Sequence, residues 1–164
     1  PKAQQEAAKI GELIRDGARQ ARMLSRGLSP VSLETLGLMS ALEELTENSS
    51  TLFNNTCRFE CTKPISIEDN VVATHLYRIA QEAISNAARH GRAKTIVVAL
   101  RRTVHETRLS ITDDGCGLPA PAARSRGMGL RIMRYRAELI RAVLTIGAAK
   151  GAGTSVMCVL RNNL

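Results

Sequence analysis

Apolar residues recur at three- and four-residue steps from the start of the chain. Within residues 3–26, Ala7, Ile10, Leu13, Ile14, Ala18, Ala21 and Leu24 share one stripe, which predicts an amphipathic helix of about six turns. Gly11 and Gly17 lie inside it at some cost relative to alanine. Gly27-Leu28-Ser29-Pro30 ends the pattern, because glycine favours a stop and proline biases Ser29 away from helical angles. This break divides residues 1–30 from residues 31–164. A second helix follows, with Ser32 as its cap and Leu33, Leu36, Met39 (or Leu38), Leu42 and Leu45 as its core stripe. Arg58–Cys61 alternates as a short strand that Lys63-Pro64 ends. A third helix is predicted from Asp69 to about Arg89, with Leu76, Ile79 and Ile84 on its buried side and Gly91 as its stop.

Beyond Gly91 the period changes to two. Thr95–Arg102 and Thr107–Thr112 are β-branched, alternating segments joined near His105 and Glu106, and they read as a hairpin. A helix is expected over Gly129–Ile140, then strands at Val143–Ile146 and Thr154–Leu160 around the Gly-rich turn Lys150–Gly153. The expected architecture is an α+β two-layer sandwich, with helices on one face of a mixed β-sheet and the long N-terminal helix ahead of it. No internal repeat is visible.

Composition changes this picture in a few places. A hydrophobic fraction of 44% over 164 residues excludes general disorder and suffices for one domain with a core. No apolar run approaches the ~18 residues of a membrane helix, and no signal peptide opens the chain. A cytoplasmic location is expected. The chain starts at Pro1 without an initiating Met, so it reads as a piece of a longer parent in which a membrane anchor is possible. A net charge of +8 invites a nucleic-acid partner, but aromatics at 2% and the absence of Trp argue against a stacking platform. The same charge suits a nucleotide or an acidic protein. Cys57, Cys61, Cys116 and Cys158 form no CxxC pair and have no His at zinc-ligand spacing, so they read as reduced thiols.

Chemistry collects in three places. On the third helix Glu82, Asn86, Arg89 and His90 gather apart from the stripe of Ala80, Ile84, Ala87 and Ala88. Asparagine is a poor mid-helix residue, and here its amide oxygen can serve a metal ion while Glu82 lies one turn away; a solvated polar face is the plainer alternative. The hairpin then runs into Asp113-Asp114-Gly115-Cys116-Gly117, where an aspartate at a strand end can accept from an exocyclic amine and glycines admit a ligand closely. Many plain turns contain such a run. Finally Arg126-Gly127-Met128-Gly129-Leu130 opens a helix, and free amides bared by glycine suit a phosphate, although a simple capping turn looks the same.

The order and spacing of these parts are more specific than any one of them. A Glu-x-x-x-Asn helix, a hairpin, an Asp-x-Gly-x-Gly turn, a small-residue loop, a Gly-x-Gly helix start and a closing Gly-Thr strand resemble the ATP-binding domain of the gyrase, Hsp90, histidine kinase and MutL superfamily. Within it the match is to two-component sensor histidine kinases of the nitrate-sensor and DesK-like subfamily, whose passage into the ATPase domain LSRGLSPVSLETLGLMSALEEL is similar to. The resemblance implies a Bergerat-type fold over residues 31–164, with residues 1–30 as the C-terminal part of a dimerisation and phosphotransfer hairpin. It implies ATP and Mg2+ as cofactors. By resemblance Asn86 is the magnesium-binding asparagine and Glu82 a catalytic or positioning carboxylate. Arg89 and His90 approach the phosphates, Asp113 reads adenine, and Gly115 and Gly117 form the turn beneath the nucleotide. Gly127, Gly129 and Leu130 close the lid at residues 118–126, whose Arg124 and Arg126 can approach phosphates, and Thr154 helps hold the base.

One departure narrows the expectation. The family's phosphoacceptor histidine precedes this segment, and His75, His90 and His105 all fall inside the ATPase domain. The expected function is transfer of the γ-phosphoryl of Mg-ATP to a histidine outside this chain, for onward transfer to a response-regulator receiver domain. Negligible autophosphorylation of this chain alone is expected. The expected partners are ATP, that receiver and a second copy joined through the N-terminal helix in the full-length protein, with no direct nucleic-acid contact. A stand-alone superfamily ATPase or serine kinase, and a non-catalytic pseudokinase binding module, are the competing readings.

Overall fold

The computed structural model describes residues 31–118 and 128–162, with side chains from Gly37 onward in the first helix. The predicted helix over 3–26, Gly127 and nearly all of the predicted lid lie outside the described residues. In chain order the elements are α1 (Val31–Phe53), β1 (Thr56–Glu60), α2 (Asn70–Arg89), β2 (Thr95–Arg102), β3 (Glu106–Asp113), α3 (Met128–Leu139), β4 (Val143–Ala148) and β5 (Thr154–Arg161). The strands form one mixed sheet in the order β1-β2-β3-β5-β4. Among the described strands only β1 and β2 are parallel, and α2 is the crossover that a parallel pair requires.

Alternation along the strands explains the layers. Ile96, Val98 and Leu100 of β2 and Leu109 and Ile111 of β3 are buried on the face covered by helices, together with Val156 and Cys158 of β5. Helix α2 is the middle helix, packed against both α1 and α3. Its buried side is rich in alanine (Ala73, Ala80, Ala83 and Ala87), which lets neighbouring elements approach closely. Ala83 is buried there and Ala88 only partly, a small rotation from the expected stripe. Asp69 caps the helix by accepting from Val71 N at 2.8 Å and Val72 N at 3.2 Å. At the other end His90 N and Gly91 N both donate to Asn86 O, at 2.9 and 3.0 Å.

Two expectations needed correction. Gly37 is non-helical (φ 81, ψ 177), so the second predicted helix is broken there. Past the break Leu38, Ala41 and Leu42 are buried, whereas Met39 and Leu45 are partly so; the side chains of Leu33 and Leu36 lie outside the described residues. The first strand spans Thr56–Glu60 instead of Arg58–Cys61. Its bounds come from pairing Thr56 with Thr95 through Glu60 with Ala99, a tertiary choice that alternation alone does not make. Ser50 Oγ fastens α1 to this strand, accepting from Cys57 N at 2.9 Å and donating to Cys57 O at 3.0 Å.

Candidate functional site

At the C-terminal end of β3 the sheet face turns from apolar to polar. Ile111 pairs with Val156 across β3 and β5, and Val156 pairs with Ile146 across β5 and β4, so three branched side chains make a row over three strands. Asp113, two residues past Ile111 and on the same face, is only 7% exposed. Its Oδ1 accepts from Gly115 N at 2.8 Å and from Thr154 N at 3.2 Å. A buried carboxylate with a second oxygen to offer, standing over an apolar floor, suits a flat heterocycle carrying an amine. Asp114 faces the other way. Its exposed carboxylate accepts from Lys94 N at 2.8 Å and Thr95 N at 2.9 Å, and the bond from Thr95, followed by that from Lys94, holds its carboxyl below the ordinary range. Strand alternation thus separates adjacent aspartates into a site residue and a clamp on the α2–β2 connection.

Across the site stands the polar face of α2. Glu82 and Asn86 lie one helical turn apart, and Asn86 Nδ2 donates to Glu82 Oε1 at 3.2 Å. The first turn of α3, which starts at Met128, one residue before the expected Gly129, lies against this pair. A Cβ on Gly129 would overlap Glu82 Oε1 and reach 3.3 Å from Asn86 Nδ2. Glycine is therefore the residue that lets a helix start, with its free amides, lie against the carboxylate–amide pair.

A cavity of about 350 Å³ opens between these parts. Of the residues singled out in the sequence, Glu82, Asn86 and His90 line it from α2 and its cap, Asp113, Gly117 and Thr154 from the sheet end, and Gly129 and Leu130 from α3. Gly115 does not line the cavity. It serves Asp113 through its N–H and packs where a Cβ would come 2.5 Å from Gly91 O. Arg89 is also absent from the lining, and its guanidinium carbon lies 5.9 Å from the centroid of the Phe53 ring. Gly127, Arg124 and Arg126 lie outside the described residues.

Sequence reasoning missed the apolar lining. Ile111, Ile146, Val156 and Met133 face the cavity. Two of them were accessible from pattern alone, since Ile111 precedes Asp113 by two residues and Val156 follows Thr154 by two. Ile146 and Met133 enter only through strand order and helix packing. Among the described residues no group of three or more His, Cys, Asp or Glu side chains is arranged to hold a metal ion.

Residues 71–164, more than half of the chain and the whole of this cavity, match the family described as histidine kinase-, DNA gyrase B-, and HSP90-like ATPase. The chain belongs to that ATPase family. Its match to the nitrate/nitrite sensor protein NarX of Escherichia coli K12 is 35% identical over 121 residues, covering 74% of this chain and 20% of that protein. It is 30% identical over 155 residues to the sensor histidine kinase LiaS of Bacillus subtilis, covering 90% of this chain and 40% of that one. The chain therefore spans less than half the length of these relatives. Among solved structures, the ATP-binding domain of PrrB from Mycobacterium tuberculosis superposes with a TM-score of 0.61 at 15% identity, over 77% of this chain and 95% of that one. That likeness concerns the fold, and it agrees with the α+β sandwich expected from the sequence. Residues 71–164 are an ATP-binding domain of the kind that sensor histidine kinases carry. Among the described residues no helix is long and apolar enough to cross a membrane.

Proposed function

We propose that this chain binds Mg-ATP and presents the γ-phosphoryl group to a histidine lying outside it, as the catalytic portion of a two-component sensor histidine kinase. The observation that carries the reading is Asp113. Its carboxylate lies beside an apolar floor, held by Thr154 N and Gly115 N, and faces the Glu82–Asn86 pair and the α3 start across one cavity. One end of that cavity suits adenine and the other suits phosphates.

The donor set fits a magnesium ion. Asn86 spends its N–H on Glu82, and its amide oxygen has no partner among the described residues. A single neutral oxygen beside phosphates matches an ion that keeps waters and relies on the nucleotide for most of its ligands. When bound, the ion offsets phosphate charge. Asn86 would hold it, Glu82 would fix the Asn86 amide and position the reacting end, and the first amides of α3 would face phosphate oxygens. His90 lines the same cavity and is placed with this set; Arg89, beside Phe53, is left out of it.

The reaction moves the γ-phosphoryl from the β-phosphate oxygen to the unprotonated nitrogen of an imidazole: a P–O bond breaks, a P–N bond forms, ADP leaves and the N–H proton of the other ring nitrogen passes to water. Positioning and charge stabilisation supply most of the catalysis. The receiver domain of a response regulator is the onward acceptor. In the parent, residues 1–30 would contribute to a homodimer in the cytoplasm.

Calorimetry of the chain with ATP, with and without magnesium, tests the reading against Asp113→Ala. Saturable magnesium-assisted binding in the parent, lost by tenfold or more in the variant, is expected. Failure of the parent to bind, or strong labelling of this chain alone by γ-labelled ATP, would overturn it.

A further inference from the structure

The two edges of the sheet are finished differently. β1 at one edge and β4 at the other each pair on one side only. Along β1, Thr56 N donates to Lys94 O, so Thr56, Arg58 and Glu60 turn their backbone groups towards β2, while Cys57 and Phe59 turn theirs outwards. Ser50 Oγ takes both outward groups of Cys57, at 2.9 and 3.0 Å. Arg58 and Glu60 put charge on the strand, and Lys63-Pro64 follows it. Charge, proline and a cap from a neighbouring element are the means by which sheet edges are kept from further pairing.

β4 has none of these among the described residues. Val143–Ala148 reads VLTIGA, without charge or proline. Ala149 N donates to Gly153 O at 3.1 Å, and Ala148 lies opposite Thr154. Antiparallel alternation then commits the backbone groups of Val143, Thr145 and Gly147 to β5 and turns the N–H and C=O of Leu144, Ile146 and Ala148 away from the sheet. No hydrogen bond among the described residues reaches those outward groups. On the open face beside them stand Val143, 68% exposed, and Thr145, also exposed. One edge of the sheet is therefore closed and the other is a bare template.

We propose that β4 pairs with β4 of a second copy of this chain, antiparallel about a two-fold axis at Ile146, so that the two sheets become one. In this register every outward residue of one strand meets an outward residue of the other: Ile146 faces Ile146, and Leu144 faces Ala148. A shift of the axis by one residue either way sets Ala148 against Ala142 or Leu144 against Lys150, outside the strand. On the open face Thr145 meets Gly147 and Val143 meets Ala149, a larger side chain against a small one each time. Like charges do not oppose one another, since Arg141 falls opposite Gly151 and Lys150 opposite Ala142. A strand from another protein is the weaker occupant, because β4 carries no charge with which to select its side chains. The net charge of +8 on each copy repels over distance, so the pairing is weak and gains from salt. It is made by backbone groups that point away from the sheet, whereas Ile146 reaches the nucleotide cavity through its side chain, so this inference stands apart from the proposed kinase activity.

The test is amide hydrogen exchange by NMR on the whole chain over a dilution series. The amides of Leu144, Ile146 and Ala148 are expected to exchange freely when dilute and to slow by about fivefold or more towards millimolar concentration. Those of Val143, Thr145 and Gly147, already bonded to β5, should change less. Added salt should strengthen the effect. Thr145→Lys and Thr145→Glu each set like charges diagonally across the axis and are expected to reduce the protection by about threefold or more, while an equimolar mixture of the two variants restores it. Ala148→Pro removes an outward N–H without touching the ladder to β5 and should weaken pairing likewise. Thr145 lies outside the nucleotide cavity, so ATP binding by its variants should stay within about twofold of the parent. Exchange that is independent of concentration, association insensitive to these substitutions as a contact through residues 1–30 alone would be, or a mixture that fails to recover would overturn the proposal. Full protection of the outward amides in dilute solution would overturn it too, by showing that another segment of the same chain covers the edge.

Discussion

Gly153 lies so close to Asp113 that a Cβ on the glycine would overlap the Asp113 main-chain oxygen and come within 2.8 Å of Oδ1. Gly153 also has φ +89, a conformation that costs other residues. The turn between β4 and β5 thereby rests on the carboxylate and brings Thr154 N to it. Gly153→Ala is expected to destabilise the fold by about 1–3 kcal/mol and to weaken ATP binding by tenfold or more, because Thr154 N moves off Asp113. Urea denaturation and calorimetry on the same variant check both effects.

Gly129→Ala separates binding from folding. The added methyl would push Glu82 aside and disturb its bond from Asn86, yet Gly129 lies at a cavity margin and its loss removes no core packing. ATP affinity in magnesium is expected to fall about tenfold with a melting temperature within a few degrees of the parent. An unchanged affinity would show that α3 does not press on Glu82.

Asn86→Ala removes the amide oxygen assigned to magnesium but leaves Asp113 and its partners in place. The affinity gain on adding magnesium should shrink to about twofold or less, while magnesium-free nucleotide binding stays within about threefold of the parent. Asn86→Asp keeps an oxygen but loses the N–H that Glu82 receives and adds a second negative charge one turn away. It is expected to restore only part of the gain, as paired titrations with and without magnesium would show.

Asp114 gives a pH signature. Its folded pKa is depressed, first by the bond from Thr95 N, so its contribution is complete above the ordinary carboxylate value of about 3.9 and is lost as pH falls through the lower folded value. Asp114→Ala should lower the urea midpoint at pH 7, and the gap from the parent should close as pH falls through the lowered folded value. A gap that is constant with pH would contradict the clamp on Lys94 and Thr95.

Thiol reactivity should divide three of the four cysteines, Cys57, Cys116 and Cys158. Burial pushes Cys57 and Cys158 up to about 11, so about a thousandth of each is thiolate at pH 8. Cys116 is exposed and precedes Gly117 of the cavity lining. Brief iodoacetamide treatment followed by mass mapping should modify Cys116 in the folded chain and Cys57 and Cys158 only in denaturant. Their modification without denaturant would contradict the packing of β1 and β5.

Periodicity alone determined much of this protein. The helix from Asp69 to Arg89, the hairpin and the closing strand pair follow from local rules, because spacing of 3.6 or 2, a capping aspartate and glycine stops act over a few residues. Glu82, Asn86 and Asp113 stood out for the same reason, as unusual residue types at element faces or ends, whereas Thr154 entered only through the family resemblance. Other features depended on contacts distant in sequence. Gly37 interrupts a stripe that reads as continuous, and β1 takes its bounds from β2. Alternation sets Asp113 and Asp114 on opposite faces, but only packing of α2 and α3 decides which face becomes the cavity. The row Ile111–Val156–Ile146 exists because β5 inserts between β3 and β4, an order that no local pattern encodes. Local geometry chose the chemical groups, and tertiary pairing brought them within reach of one ligand.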